Sequence, residues 1–141
     1  MIKNIKKLDL VVTSILVGLI WTIQLVHYPS FNYIDSQIYK SFQSFHVNAI
    51  TPLVAPLMII EMLFYALSLK FDFYLKKIHY IIIFTLLTTI WLCTAFVSVP
   101  LHNALQAGKD SLLISKLVGT NWIRTFAWTL KLFLMIIWQK E

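Results

Sequence analysis

The chain has 141 residues, of which 59% are hydrophobic and 13% charged, with a formal net charge of +6. A soluble domain carries about a quarter charged residues, so this composition excludes an ordinary water-soluble fold and makes a bilayer the natural solvent. The basic residues are scattered beside apolar segments rather than gathered on one face, which argues against nucleic acid and for contact with anionic lipid.

Lys3, Lys6 and Lys7 precede the first apolar run, which is expected to cross the membrane as a helix over 10–27. It ends in Trp21, Gln24, His27, Tyr28 and Pro29 with no small-residue cleavage pattern, so it is expected to be a retained span and not a signal peptide. Beyond it, Ile38, Phe42 and Phe45 recur at helical spacing, which predicts a short amphipathic helix over 36–46 at the interface. Spans over 50–69 and 78–99 follow, joined by a tight turn over 70–77. A second interfacial helix is expected between Asp110, as N-cap, and Gly119, as its stop. The last span covers 121–138. Each span approaches the ~20 helical residues that cross ~30 Å of hydrocarbon, and backbone groups without water must bond within a helix. The fold class is therefore all-α: one domain over 1–141, a four-helix transmembrane bundle with short interfacial helices in its outer loops.

Seven lysines flank the termini and the 70–77 turn (Lys3, Lys6, Lys7, Lys70, Lys76, Lys77 and Lys140), against three in the other loops (Lys40, Lys109 and Lys116). That count predicts a multi-pass protein of the cell membrane with both termini in the cytoplasm. The single cysteine, Cys93, lies in an apolar run; it can form no internal disulfide and reads as a small hydrophobe.

Two charges fall inside spans. Glu61 precedes Lys70 by nine residues and Lys131 precedes Lys140 by nine, which places both ~13.5 Å from the inner end of their helices. Either alone costs on the order of 2.5–3.5 kcal/mol at mid-bilayer. They are expected to pair, with the second and fourth helices as neighbours. Such a pair fixes helix register; the alternatives are that Lys131 snorkels inward and Glu61 is protonated, or that Glu61 is a proton carrier or part of a ligand pocket.

At the outer ends of the spans, Gln24 and His27, His46, His102 and Asn103, and Asn121 and Arg124 converge on one level. Three readings of this ring stay open. It can hydrogen-bond headgroups, act in acid–base catalysis through His27, His46 and His102, or ligate haem or a metal ion through those histidines. No motif requires a cofactor. Arg124 keeps its charge and needs an anionic group, a lipid phosphate or a bound anionic or quinone-like ligand. Trp21, Trp122 and Trp128 are either interface anchors or the walls of a flat cavity for an aromatic ligand. Gln24, Asn103 and Asn121 are the polar candidates for binding it.

Pro100, Asn103 and Leu105 after the third span, with Trp122, Arg124 and Thr125 opening the last, resemble the anthrone-oxygenase-like family of small four-span membrane proteins. The likeness covers the C-terminal 45 residues or so and the four-span plan. Here the asparagine is displaced by one position, and the histidine that the family places between the Trp and the Arg is missing. The resemblance implies a four-helix membrane bundle, tied in some members to oxidation of a polycyclic phenolic substrate.

Two functions follow as expectations. The first is an oxidoreductase acting on a hydrophobic aromatic or quinone-like molecule, with histidine as base and Arg124 steadying negative charge. The second is a non-enzymatic subunit, scaffold or small transporter whose polar residues hold helices or a partner together. Expected partners are membrane lipids, a hydrophobic small molecule and further copies of the chain in a homo-oligomer.

Overall fold

The computed structural model describes residues 2–71 and 76–138, apart from the side chains of Ile2 and Lys3. The turn expected over 70–77 falls largely outside them, as do Lys140 and the Lys3 side chain counted for orientation. The described residues form four helical rods, with no strand among them. Rod α1 covers 2–33: an α-helix Ile2–Thr22, a π-helical turn Ile23–His27, a short α-helical turn Tyr28–Ser30 and a 3-10 turn Phe31–Tyr33. Rod α2 is Tyr39–Phe71. Rod α3 is Lys77–Leu105, with a π-helical turn Thr94–Ser98. Rod α4 is Ser111–Trp138.

Rods α1, α2 and α3 contain segments of 30, 33 and 29 residues that are long and apolar enough to cross a membrane. At ~1.5 Å per residue they exceed the ~30 Å of hydrocarbon, so their ends reach headgroup depth. Leu25, Phe45, Leu63, Phe84, Phe96 and Phe133 all lie exposed on the rod surfaces. So much outward apolar surface is a liability in water and suits lipid.

The two interfacial helices expected in the outer loops are not separate elements. The 36–46 stretch mostly forms the first turns of α2, which runs unbroken to Phe71. The 110–119 stretch opens α4, which passes through Gly119 without a stop. A helical glycine costs only ~1 kcal/mol relative to alanine, and the fully buried Leu117 and Asn121 on either side hold the helix in place. Asp110 does cap it: Oδ1 accepts the N–H groups of Leu112 and Leu113 at 2.8 and 3.0 Å. Lys109 ties the two loops together, its Nζ donating to the carbonyls of Asn32 and Ile34 at 2.9 and 2.7 Å.

Each π turn stands just before a proline, Pro29 in α1 and Pro100 in α3. A proline has no N–H, and its ring presses on the carbonyl four residues back. The wider π turn lets the rod continue past it. In consequence Tyr28, Ser98 and His102, which follow or close these turns, face the bundle interior.

Rod α4 packs on α1 and α3, while α2 packs chiefly on α1. The second and fourth helices, expected as neighbours, therefore stand on the diagonal. Long side chains reach across the centre and make adjacency unnecessary. The larger core gathers Leu16, Ile20, Phe31, Ile90, Leu117 and Trp128, and a smaller one of Ile83, Leu87 and Met135 fills the other end.

Candidate functional site

Between α1, α2 and α3, closed at the back by α4, lies a cavity of about 300 Å³. Its walls are mostly apolar, with Ile20 and Ile23 from α1 and Val54 and Met58 from α2. Thr51, Val99 and Asn103 also line it and are exposed, so its mouth opens sideways between α2 and α3. Tyr28, His102 and Arg124 form its polar wall, and Trp128 lines it one turn after Arg124 on the same face of α4.

Arg124 is 5% exposed, and among the described residues no carboxylate lies within ion-pair distance of it. Its guanidinium donates to Tyr28 Oη at 3.3 Å, to Thr94 Oγ1 at 3.4 Å and, more closely, to Asn121 Oδ1. Its buried Nε has no hydrogen-bond partner. Behind it runs a chain of one polarity. Asn121 Nδ2 donates to Gln24 Oε1 at 2.8 Å, and Gln24 Nε2 donates to the Val118 carbonyl at 3.2 Å. Because a carbonyl can only accept, this last bond fixes both amide orientations. Gln24 and Asn121 thus hold Arg124 in place without lining the cavity.

The same logic assigns the Tyr28 proton. Gln43 Nε2 lies 3.3 Å from the His102 carbonyl and 2.9 Å from His102 Nδ1. The carbonyl demands a donor, so the amide N–H₂ faces His102 and Nδ1 accepts. The imidazole proton then resides on Nε2, which donates to Tyr28 Oη at 3.0 Å. Tyr28 oxygen therefore accepts from both His102 and Arg124, and its own hydrogen is left to point into the cavity. A hydroxyl polarised by two donors, one of them cationic, is a strong proton donor to a ligand oxygen.

The remaining candidates stand further off. His27 is half-buried and His46 buried; their Nε2 and Nδ1 atoms lie 2.8 Å apart, and the His46 ring centroid is 4.9 Å from that of His102. Neither His27 nor His46 lines the cavity. Among the described residues no three His, Cys, Asp or Glu side chains are arranged to hold a metal ion. Both His102 nitrogens are already engaged, and His27 and His46 bond each other. Trp21 donates to Thr129 Oγ1 at 3.0 Å and meets Trp122 edge-on at 5.7 Å, so these two rings pack α1 on α4 outside the cavity. His79 is buried and stacked on Trp138, with ring centroids 3.8 Å apart, away from the cavity.

One turn beyond the cavity floor, Lys131 Nζ lies 2.8 Å from Glu61 Oε1. Thr13 Oγ1 accepts from Lys131 at 2.7 Å and donates to Glu61 Oε1 at 3.2 Å, and Trp128 Nε1 donates to Glu61 Oε2 at 3.0 Å. Asp9 joins from α1, with Oδ1 3.5 Å from Lys131 Nζ.

The sequence reading missed Tyr28, Gln43, Thr94, Thr13 and Asp9. Tyr28 was within reach, four residues after Gln24 and hence on the same helical face. Gln43 is one turn before His46 in the same way. Asp9 sits just ahead of the span drawn at 10–27, among flanking lysines, where an acid attracts no notice.

The chain matches no family model, no curated protein and no solved structure.

Proposed function

We propose that this is a four-span membrane protein whose cavity takes a hydrophobic aromatic or quinone-like molecule from the bilayer and holds it by an acidic or carbonyl oxygen. The observation that carries the reading is Arg124: a permanent cation, 5% exposed, with no carboxylate within ion-pair distance among the described residues, lining a mostly apolar cavity. Leaving such a charge unpaired is costly, and an anionic ligand atom relieves it. About 300 Å³ is the low end for ligand sites and holds roughly ten waters' volume, which suits a one- or two-ring molecule.

The fourth crossing rests on where the charges of α4 point. Arg124 and Lys131 depress its average hydropathy, yet both face the interior, while Ile123, Phe126, Leu130 and Phe133 face outward. The lysine count supports termini on the cytoplasmic side. Tyr28, polarised by His102 and Arg124, supports the acid half of the oxidoreductase chemistry expected from the sequence: proton donation to a ring oxygen. The resemblance to the anthrone-oxygenase-like family points to the same class of ligand.

Tryptophan fluorescence of the protein in lipid nanodiscs, titrated with a hydroxynaphthoquinone and with its methyl ether, tests the reading. Saturable quenching at least tenfold tighter for the hydroxy compound is expected. Equal affinity for the two refutes the acidic-oxygen contact, and binding of neither refutes the reading.

A further inference from the structure

We infer that Asp9, Glu61 and Lys131 form a buried binding site for one exchangeable proton, held on Asp9. The three side chains come from α1, α2 and α4, and they are 4%, 1% and 1% exposed. Two carboxylates and one ammonium leave one negative charge over, in a place where little water reaches to screen it.

Hydrogen bonding decides which carboxyl carries the compensating proton. Glu61 accepts from Lys131, Thr13 and Trp128, so both of its oxygens are served as a carboxylate needs. Lys131 spends its bonds on Glu61 and Thr13. Asp9 Oδ1 is within ionic contact of Lys131 at 3.5 Å, yet it is buried and receives no hydrogen bond. With its buried Oδ1 unserved while both oxygens of Glu61 have donors, Asp9 is the costlier of the two ions, so it is the one neutralised. Rods α2 and α4 are those packed on α1 here, and the charges they turn toward Asp9 are Glu61 and Lys131. On α1 itself Lys6 lies one turn earlier and Thr13 one turn later. Asp9 lies toward the end of α1, so the proton exchanges with the headgroup region on that side of the bundle. The site stands independently of any ligand in the cavity.

Charge arithmetic gives the test. Infrared difference spectra of the protein in nanodiscs, in water and in heavy water, read the carbonyl stretch of protonated carboxyl groups at neutral pH. The wild type should show one such band that shifts on deuteration. Asp9→Asn should lose it. Glu61→Gln should also lose it, because Asp9 and Lys131 then form a neutral pair. Lys131→Met should double its area, because both carboxyls then need protons. Absence of the band in the wild type overturns the inference, as does its survival in Asp9→Asn. Those two spectra decide the matter even if Lys131→Met does not fold.

Discussion

Lys131→Met lowers the stability of the folded bundle by about 3–5 kcal/mol, the usual cost of removing one partner from a buried ion pair. Glu61→Gln, by contrast, costs only about 1–3 kcal/mol, the penalty for disturbing a buried hydrogen-bonded group. The asymmetry comes from Asp9: without Glu61, Lys131 still has a carboxylate at 3.5 Å, whereas without Lys131 two buried acids have no cation. The double variant costs less than the sum of the two, with a coupling within the range of about 0.5–3 kcal/mol found for directly contacting residues. Reversible denaturation in mixed micelles measures all four corners of the cycle. Equal single losses, or strict additivity, contradict this picture of the cluster.

The second large effect belongs to the cavity. Arg124→Gln weakens binding of the hydroxynaphthoquinone about thirtyfold or more, since losing one partner of a desolvated charged contact costs about 2–5 kcal/mol. Arg124→Lys does not restore it. A lysine is a point charge on a flexible stem and cannot reach Tyr28, Thr94 and Asn121 together as the planar fork does. Tyr28→Phe removes one neutral hydrogen bond, so a roughly tenfold loss is expected. Calorimetric titration in nanodiscs, with helical content checked by circular dichroism, separates these cases. Wild-type affinity in Arg124→Gln means that the ligand is not held by charge.

The apolar segments were legible because hydropathy and length follow directly from the cost of burying backbone in lipid. Their ends were not. The spans were drawn to end at 27 and 99, yet each rod continues past its proline through a π turn that absorbs the clash, and that extension is what delivers Tyr28 and His102 inward. Gly119 read as a stop for the same kind of local reason, and packing of its neighbours outweighed it. Equal depth of Glu61 and Lys131 could be counted from the sequence, but adjacency of their helices could not. Two long side chains meet as readily across a diagonal.

The candidate site was half legible. Spacing along each span placed Gln24, His102, Asn121 and Arg124 at one level, and the structure brings these four into one connected polar cluster. Which of them meet a ligand depends on side-chain direction, which one sequence does not carry. Gln24 and Asn121 turned out to buttress Arg124, and Trp21 and Trp122 pack outside the cavity. Tyr28 was overshadowed by the histidine beside it. Its role emerges only when the donors to its oxygen are counted.

The most direct measurement is non-denaturing mass spectrometry of the protein extracted from its own membrane, compared with Arg124→Gln prepared in parallel. A hydrophobic molecule bearing an acidic hydroxyl or carbonyl oxygen, retained by the wild type and absent from the variant, is the expected result. Retention of the same molecule by both proteins would contradict the central role given to Arg124.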